Sequence, residues 1–343
     1  MTELDDLLTQ ILGSGTECVG SSVGSPAWTA LADSGLTRVG LAEEFGGVGG
    51  ELCDSITVIV RAAQAGLDGP LTEPLLMAGN LATSTGVALP EGTLSVGIAR
   101  LSCVAAFPDQ QLDIAATTAG DTKGCEHLWI IGRTAAGGAA LVRAQPQRTG
   151  PATVNSAVVH CDPSVVIDTE LLGALGRSAQ ILGALRACLH LSCTYTAART
   201  QFGRALSSHQ LVQHALAAMA ADVAAAETAV QSAADLAANA GGSLDAEASL
   251  AIAVAKVQTS IAATRVAQSA HQLHGAMGLT AEYPLQHYTS RLWAWRDEYG
   301  TEYTWSTHIT ELVRSRYDGD IWRALTAQSA PDHSPFQLTN GYL

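Results

Sequence analysis

From Asp168 onward the chain is alanine-rich, and its larger apolar residues recur at helical spacing through three successive stretches. Leu175, Leu182, Leu185 and Leu189 share one face of the first; Val212, Leu216, Met219, Val223 and Val230 share one face of the second; Leu250, Val254, Val257 and Ile261 mark the third. Ser207 or Ser208 is placed to cap the second helix and Gly241-Gly242 to stop it, with Ser243 or Asp245 opening the third. Alanine faces let long helices approach closely, so an antiparallel bundle is expected over residues 168–330, followed by a loose or partner-bound tail over 331–343.

Two other textures precede it. Residues 1–92 read as short helices separated by Gly, Pro and Ser, for instance from Trp28 to Leu36 and from Ser55 to Gln64. Between them, Glu43-Glu44-Phe45-Gly46-Gly47-Val48-Gly49-Gly50 lacks the spacing and the preceding strand of a dinucleotide fingerprint, and reads as a turn. Residues 93–167 carry short β-branched and apolar runs: Leu94, Val96 and Ile98 alternate, and Leu128 to Ile131, Ala140 to Val142 and Val165 to Ile167 are continuous. The expected fold is mainly α with a small β domain in the middle.

Composition bounds the function. At 343 residues with 47% hydrophobic content the chain can bury a sizeable core, and no apolar run reaches the roughly 20 residues of a membrane span. The acidic start Met1-Thr2-Glu3-Leu4-Asp5-Asp6 is unlike a secretory signal, so a cytoplasmic location is expected. Seven cysteines without a C-x-x-C pair read as reduced residues. A net charge of −14, from 18 basic and 32 acidic side chains, argues against nucleic acid as a partner. It also suits a polyanionic ligand poorly, unless a partner chain supplies positive charge.

Two segments carry candidate chemistry. Arg199, Phe202 and Gln210 lie around the turn between the first two long helices, offering a guanidinium for a diphosphate, a ring for a flat base and an amide. Gln272, Gly275 and Gly278 lie after the third, where glycines permit close approach of backbone to phosphate. His271 and His274 lack a third local metal ligand beyond Glu282 and read as helix-surface or interface residues; no metal is expected.

Arg199-Thr200-Gln201-Phe202-Gly203 with Gln210, and Gln272-Leu273-His274-Gly275-Ala276-Met277-Gly278 running into Glu282-Tyr283-Pro284, resemble the two flavin-nucleotide motifs of acyl-CoA dehydrogenases. The Glu-Glu-Phe-Gly-Gly turn resembles a signature of the same family's N-terminal helical domain. The resemblance covers roughly Trp28 to Arg316, with Ala276 replacing a common glycine. It implies helices, a small β domain and a four-helix bundle, in that order. It also implies FAD, bound through Arg199, Phe202, Gln210, Gln272, Gly275 and Gly278 largely on behalf of a neighbouring subunit.

Family members draw their catalytic carboxylate from a Glu-Gly-Thr segment or from the first turn of the helix leading to the arginine motif. The corresponding positions here are Tyr299, before Gly300-Thr301, and Gly173. Glu298 stands one residue before the first and Glu170 three before the second. A slip of one residue turns a helical side chain by about 100°. Glu298 is expected to be solvated or paired beside Arg296. Leu71-Thr72-Glu73-Pro74 imitates the start of a flavin-ring segment but reads as a helix start. The chain therefore resembles the smaller, non-catalytic subunit of heteromeric actinobacterial steroid side-chain acyl-CoA dehydrogenases. That implies an α2β2 assembly with a catalytic paralogue, a steroid acyl-CoA substrate and an electron-transfer flavoprotein as acceptor. Two readings stand beside it: a complete homomeric dehydrogenase using Glu298 or Glu170, and a non-enzymatic scaffold of the same ancestry.

Overall fold

The computed structural model describes residues 3–101, 111–112, 117–119, 124–134, 137–145, 152–154, 158–240 and 243–326. Gly241-Gly242, Cys103 and the segment beyond Pro331 lie outside them.

The N-terminal part is helical: α1 (Glu3–Leu12), α2 (Pro26–Asp33), α3 (Leu52–Ala65), and a π-helical turn, Glu73–Ala78, running into α4 (Gly79–Thr85). Local chemistry sets their starts. Ser25 accepts from the Trp28 N–H at 3.3 Å with Pro26 in the first turn of α2. Glu51 and Asp54 form a reciprocal capping box on α3. The Glu43–Phe45 segment is a single 3-10 turn closed by a bridge between Leu41 and Gly49. A Cβ on Gly47 would lie 2.2 Å from the Leu41 carbonyl oxygen, so only glycine fits there.

Among the described residues seven strands follow: β1 (Leu94–Leu101), β2 (Gln111–Leu112), β3 (Thr117–Ala119), β4 (His127–Thr134), β5 (Ala139–Gln145), β6 (Ala152–Val154) and β7 (Val159–Cys161). They form one sheet in the order β2-β6-β5-β4-β1-β3, with β7 also on β5; β1 and β4 pair in parallel and the other described pairs are antiparallel. Period-two alternation feeds two layers. Val96, Ile98, Trp129, Ile131 and Leu141 join the main core, while Leu128, Ile130, Ala140 and Val142 form a second cluster on the opposite face. Val165 to Ile167 are not a closing strand. They open α5 (Ser164–Ala198), whose entry at Pro163 favours the helix despite the β-branched run.

After α5 come a hairpin of β8 (Thr200–Gln201) and β9 (Arg204–Ala205), a 3-10 turn (Leu206–Ser208), α6 (Gln210–Asn239), α7 (Ala246–His274), a second 3-10 turn (Gly275–Leu279), α8 (Leu285–Asp297), α9 (Glu302–Arg316) and α10 (Ile321–Thr326). Asp245 caps α7 by accepting from Ala248 N–H at 2.8 Å. Neither Ser207 nor Ser208 caps α6. Ser208 sits inside the 3-10 turn and donates to the Ala205 carbonyl, and His209 takes the cap position without a side-chain bond. The expected face of α7 is also displaced. Val254, Val257 and Ile261 are half-buried, whereas Ile252, Ala253, Ala255, Thr259 and Ala262 are the residues fully withdrawn. α7 packs against α5, α6, α8 and α9 at once, so small residues line its tightest contacts. Its span through Leu279 is long and apolar enough to cross a membrane by length and composition, but it is mostly buried within the bundle.

Candidate functional site

The C-terminal ends of α5 and α7 meet. Tyr195 stacks on His274 with ring centroids 4.5 Å apart, so the 199–210 turn and the 275–279 turn share one end of the bundle. Arg199 is the C-cap of α5, a position a helix dipole favours for a cation. Among the described residues its guanidinium has no ion-pair or hydrogen-bond partner, and the amides of Gln210 and Gln272 are exposed. Phe202 and Gly203 form the tip of the β8–β9 hairpin with φ of 53° and 80°, the primed-turn geometry that two-residue hairpins require. Phenylalanine is strained at positive φ, and here the strain presents a ring that is 89% exposed. His209 meets that ring edge-on at 6.0 Å and is tied by Nδ1 to Arg204 at 3.2 Å.

The second turn is equally open. Gly275 has φ of 58° and nothing within 4 Å of where a Cβ would stand, so a ligand can approach its backbone. Gly278 differs: it is buried, and a Cβ would lie 2.9 Å from Leu285 and 3.0 Å from the His274 Cβ. Its glycine serves packing beneath the turn. Leu211 (84% exposed), Leu279 (72%) and Met277 (45%) surround this end with apolar surface. Unpaired donors, a presented ring and an open glycine fit a dinucleotide diphosphate and its base.

His271 and His274 point inward, contrary to the surface reading. His274 is 3% exposed; its Nδ1 donates to the Ala270 carbonyl at 2.8 Å and its Nε2 accepts from Tyr283 O–H at 3.1 Å. Burial pushes its pKa down, and both nitrogens are satisfied with the ring neutral. His271 Nε2 lies 2.9 Å from Thr289 Oγ1.

The positions matching the family's catalytic carboxylates face each other. A Cβ on Gly173 would stand 2.6 Å from Tyr299 Cδ1, so the Tyr299 ring occupies the space a side chain at 173 would need. Tyr299 is itself left-handed, with φ of 52°, and its carbonyl accepts from Trp305 Nε1 at 2.9 Å. Its hydroxyl donates to Glu73 Oε1 at 3.2 Å. Burial holds that hydroxyl well above the ordinary tyrosine range, which removes it as a base at neutral pH.

Behind the ring is an ionic cluster that the sequence did not disclose. Arg177, 2% exposed, pairs through Nη2 with Glu73 Oε1 at 2.8 Å and through Nε with Glu298 Oε2 at 2.6 Å. Its Nη1 donates to Gln180 Oε1, which also accepts from Thr72 Oγ1 at 3.1 Å. Glu73 is completely buried, which pushes its carboxyl up against the opposing pull of Arg177, and its Oε2 has no partner among the described residues. Glu298 is thus held by Arg177 and not by Arg296, whose Nη1 donates to Thr264 at 3.0 Å. Glu170 is half-buried near Arg133, and desolvation raises its pKa to about 7. Lys256 is fully buried and donates to the Trp295 and Arg296 carbonyls at 2.7 and 3.0 Å; burial lowers its pKa to about 7.

A profile of the acyl-CoA dehydrogenase C-terminal domain matches residues 165–302. Over those residues the chain is similar to the acyl-CoA dehydrogenase family. Among curated relatives, acyl-CoA dehydrogenase IpdE2 of Mycobacterium tuberculosis is 28% identical over 277 residues, covering 77% of this chain and 79% of the relative. Among solved structures, the ChsE4-ChsE5 complex from Mycobacterium tuberculosis superposes with a TM-score of 0.73 at 20% identity, over 92% of this chain and 98% of that one. The Tcur3481-Tcur3483 steroid ACAD, solved as a variant, gives 0.75 at 21% identity over the same shares. At those identities the superpositions show the acyl-CoA dehydrogenase fold. The family's cofactor is FAD, and its reaction is oxidation at a CH–CH bond.

Proposed function

We propose that this chain is the assisting subunit of a heteromeric acyl-CoA dehydrogenase. In this reading Arg199, Phe202, Gln210, Gln272 and Gly275 bind the adenosine diphosphate portion of an FAD whose ring is held by a catalytic paralogue, while Gly278 packs beneath the turn that holds Gly275. The paralogue would supply the carboxylate that removes the α-proton, and bound FAD would supply the hydride acceptor, while this chain's own residues hold and orient the nucleotide end. The assembly is a cytoplasmic α2β2 tetramer that passes electrons to an electron-transfer flavoprotein. The likeness to IpdE2 and to a steroid ACAD supports a steroid side-chain acyl-CoA as substrate.

One observation carries the reading: Tyr299 fills the space in front of Gly173, with Glu73 and Glu298 both bound to Arg177 behind it. Chemistry is thus walled off where the family performs it, while the nucleotide end stays open and rimmed by apolar side chains. The test is expression alone and beside a neighbouring dehydrogenase gene product, with flavin counted per chain. A colourless lone chain and one FAD per αβ pair are expected, with Arg199→Ala in this subunit lowering flavin content. Unchanged flavin in that variant would refute the nucleotide role. The raised pKa of Glu170 favours the homomeric alternative, because a base poised near neutrality is suited to proton abstraction. That alternative requires a lone chain that is yellow and bleaches with an acyl-CoA.

A further inference from the structure

The two candidate nucleotide turns are joined by the stack of Tyr195 on His274, whose ring planes are 26° apart. Tyr195 stands one turn before Arg199 on α5, and its carbonyl accepts from the Arg199 N–H at 2.9 Å. His274 closes α7, and Gly275 follows it directly. The tyrosine ring therefore lies at the seam between the arginine turn and the glycine turn. Tyr283 meets it edge-on at 6.0 Å.

Packing holds this ring, but the fold does not use its hydroxyl. His274 is filled at both nitrogens, by the Ala270 carbonyl and the Tyr283 hydroxyl, so the ring that Tyr195 covers offers it no acceptor. Among the described residues the Tyr195 hydroxyl makes no hydrogen bond, and it is not enclosed, since the residue is half-buried and this oxygen is not among the buried unpaired atoms. Nearby hydroxyls are spent: Thr196 donates to the Ser192 carbonyl at 2.8 Å, Ser208 to Ala205 at 2.7 Å and Thr280 to Met277 at 2.9 Å. In the lone chain a phenylalanine would stack on His274 equally well.

We infer that Tyr195 is a further nucleotide-binding residue, whose hydroxyl donates a hydrogen bond to a phosphate oxygen of a diphosphate lying across the two turns. The inference rests on the nucleotide reading above. An anion resting between the exposed Arg199 and the open backbone of Gly275 crosses the seam that Tyr195 occupies. A hydrogen bond to a charged acceptor is one of the stronger kinds, and a donor whose ring is already fixed by packing makes it with little further ordering.

The test is the rate at which the coexpressed complex releases FAD on dilution, followed by flavin fluorescence. Tyr195→Phe keeps the stack on His274 and removes only the hydroxyl. It is expected to release FAD about tenfold faster than wild type, the loss of one hydrogen bond to a charged acceptor. The urea midpoint of the lone chain should be unchanged by the same substitution. An unchanged release rate, with Arg199→Ala lowering flavin content, overturns the role of Tyr195 and leaves the nucleotide reading standing. Faster release together with a lower urea midpoint also overturns it, because the ring's packing would then account for the effect. A wild-type complex without flavin, or flavin content and release unchanged in both Arg199→Ala and Tyr195→Phe, overturns the nucleotide reading as well.

Discussion

Arg177 joins three parts of the chain that lie far apart in sequence, and its two carboxylate partners sit 104 and 121 residues away. Removing it leaves Glu73 as an uncompensated buried charge, so Arg177→Ala should cost about 3–5 kcal/mol in denaturant unfolding. Glu298→Gln should cost no more than about 1 kcal/mol, because that carboxylate is 36% exposed and can turn to water. Gly173→Ala pushes a methyl group into the Tyr299 ring and should cost about 1–3 kcal/mol. In Tyr299→Leu the penalty of the same alanine should shrink, a coupling that a double-mutant cycle measures. This is also where sequence reading stopped. Arg199, Phe202 and Gln210 could be singled out as candidates because a turn gathers them locally, whereas nothing periodic links Glu73, Arg177 and Glu298. Only the absence of a carboxylate at 173 and 299 was legible; what fills the space was not.

At the scale of elements, Lys256 fixes the C-terminal end of α8 to the middle of α7 through two carbonyls. Its folded pKa of about 7 lies below the ordinary lysine value. The folded state therefore binds fewer protons than the unfolded state between pH 7 and about 10.4, and stability rises with pH in that window. The limiting slope is about 1.4 kcal/mol per pH unit. The clearest window is pH 7 to 8. Glu170, raised to about 7, loses its stabilising contribution as pH rises towards 7, and Cys188, raised to about 12, with Cys18, Cys53, Cys161 and Cys193 also raised by burial, begins to lose its own as pH approaches the ordinary thiol value of about 8.5. Wild-type urea midpoints should increase from pH 7 to pH 8 relative to those of Lys256→Met. The helices themselves were legible from apolar spacing in α5 and α6. In α7 the pattern misled, because a helix packed on several sides hides small residues and leaves its valines half-covered. Val165 to Ile167 misled for a related reason: a β-branched run starts a helix when the local entry and the packing behind it favour one.

The whole molecule has two unlike regions, a sealed ionic interior and an open end with apolar edges. Phe202, Leu211, Met277 and Leu279 are not needed by the fold of the lone chain, so Leu211→Asp and Leu279→Arg should alter its unfolding free energy by no more than about 0.5 kcal/mol. In a coexpressed assembly the same two changes should release the partner, seen as a smaller species by light scattering and a loss of flavin. The overall order of helices, sheet and bundle was legible because periods of 2 and 3.6 change at recognisable points along the chain. The division between closed and open regions emerged only when distant segments were brought together.

The contact between Gly173 and Tyr299 also acts as a ratchet. A glutamate entering at 173 meets an aromatic ring, and a glutamate replacing that ring joins Glu73 and Glu298 around a single guanidinium, three anions to one fixed cation. Neither single step gives a sound, charge-balanced interior. A route to a working base at either position therefore passes through at least two concerted changes, which makes the sealed state easier to reach than to leave.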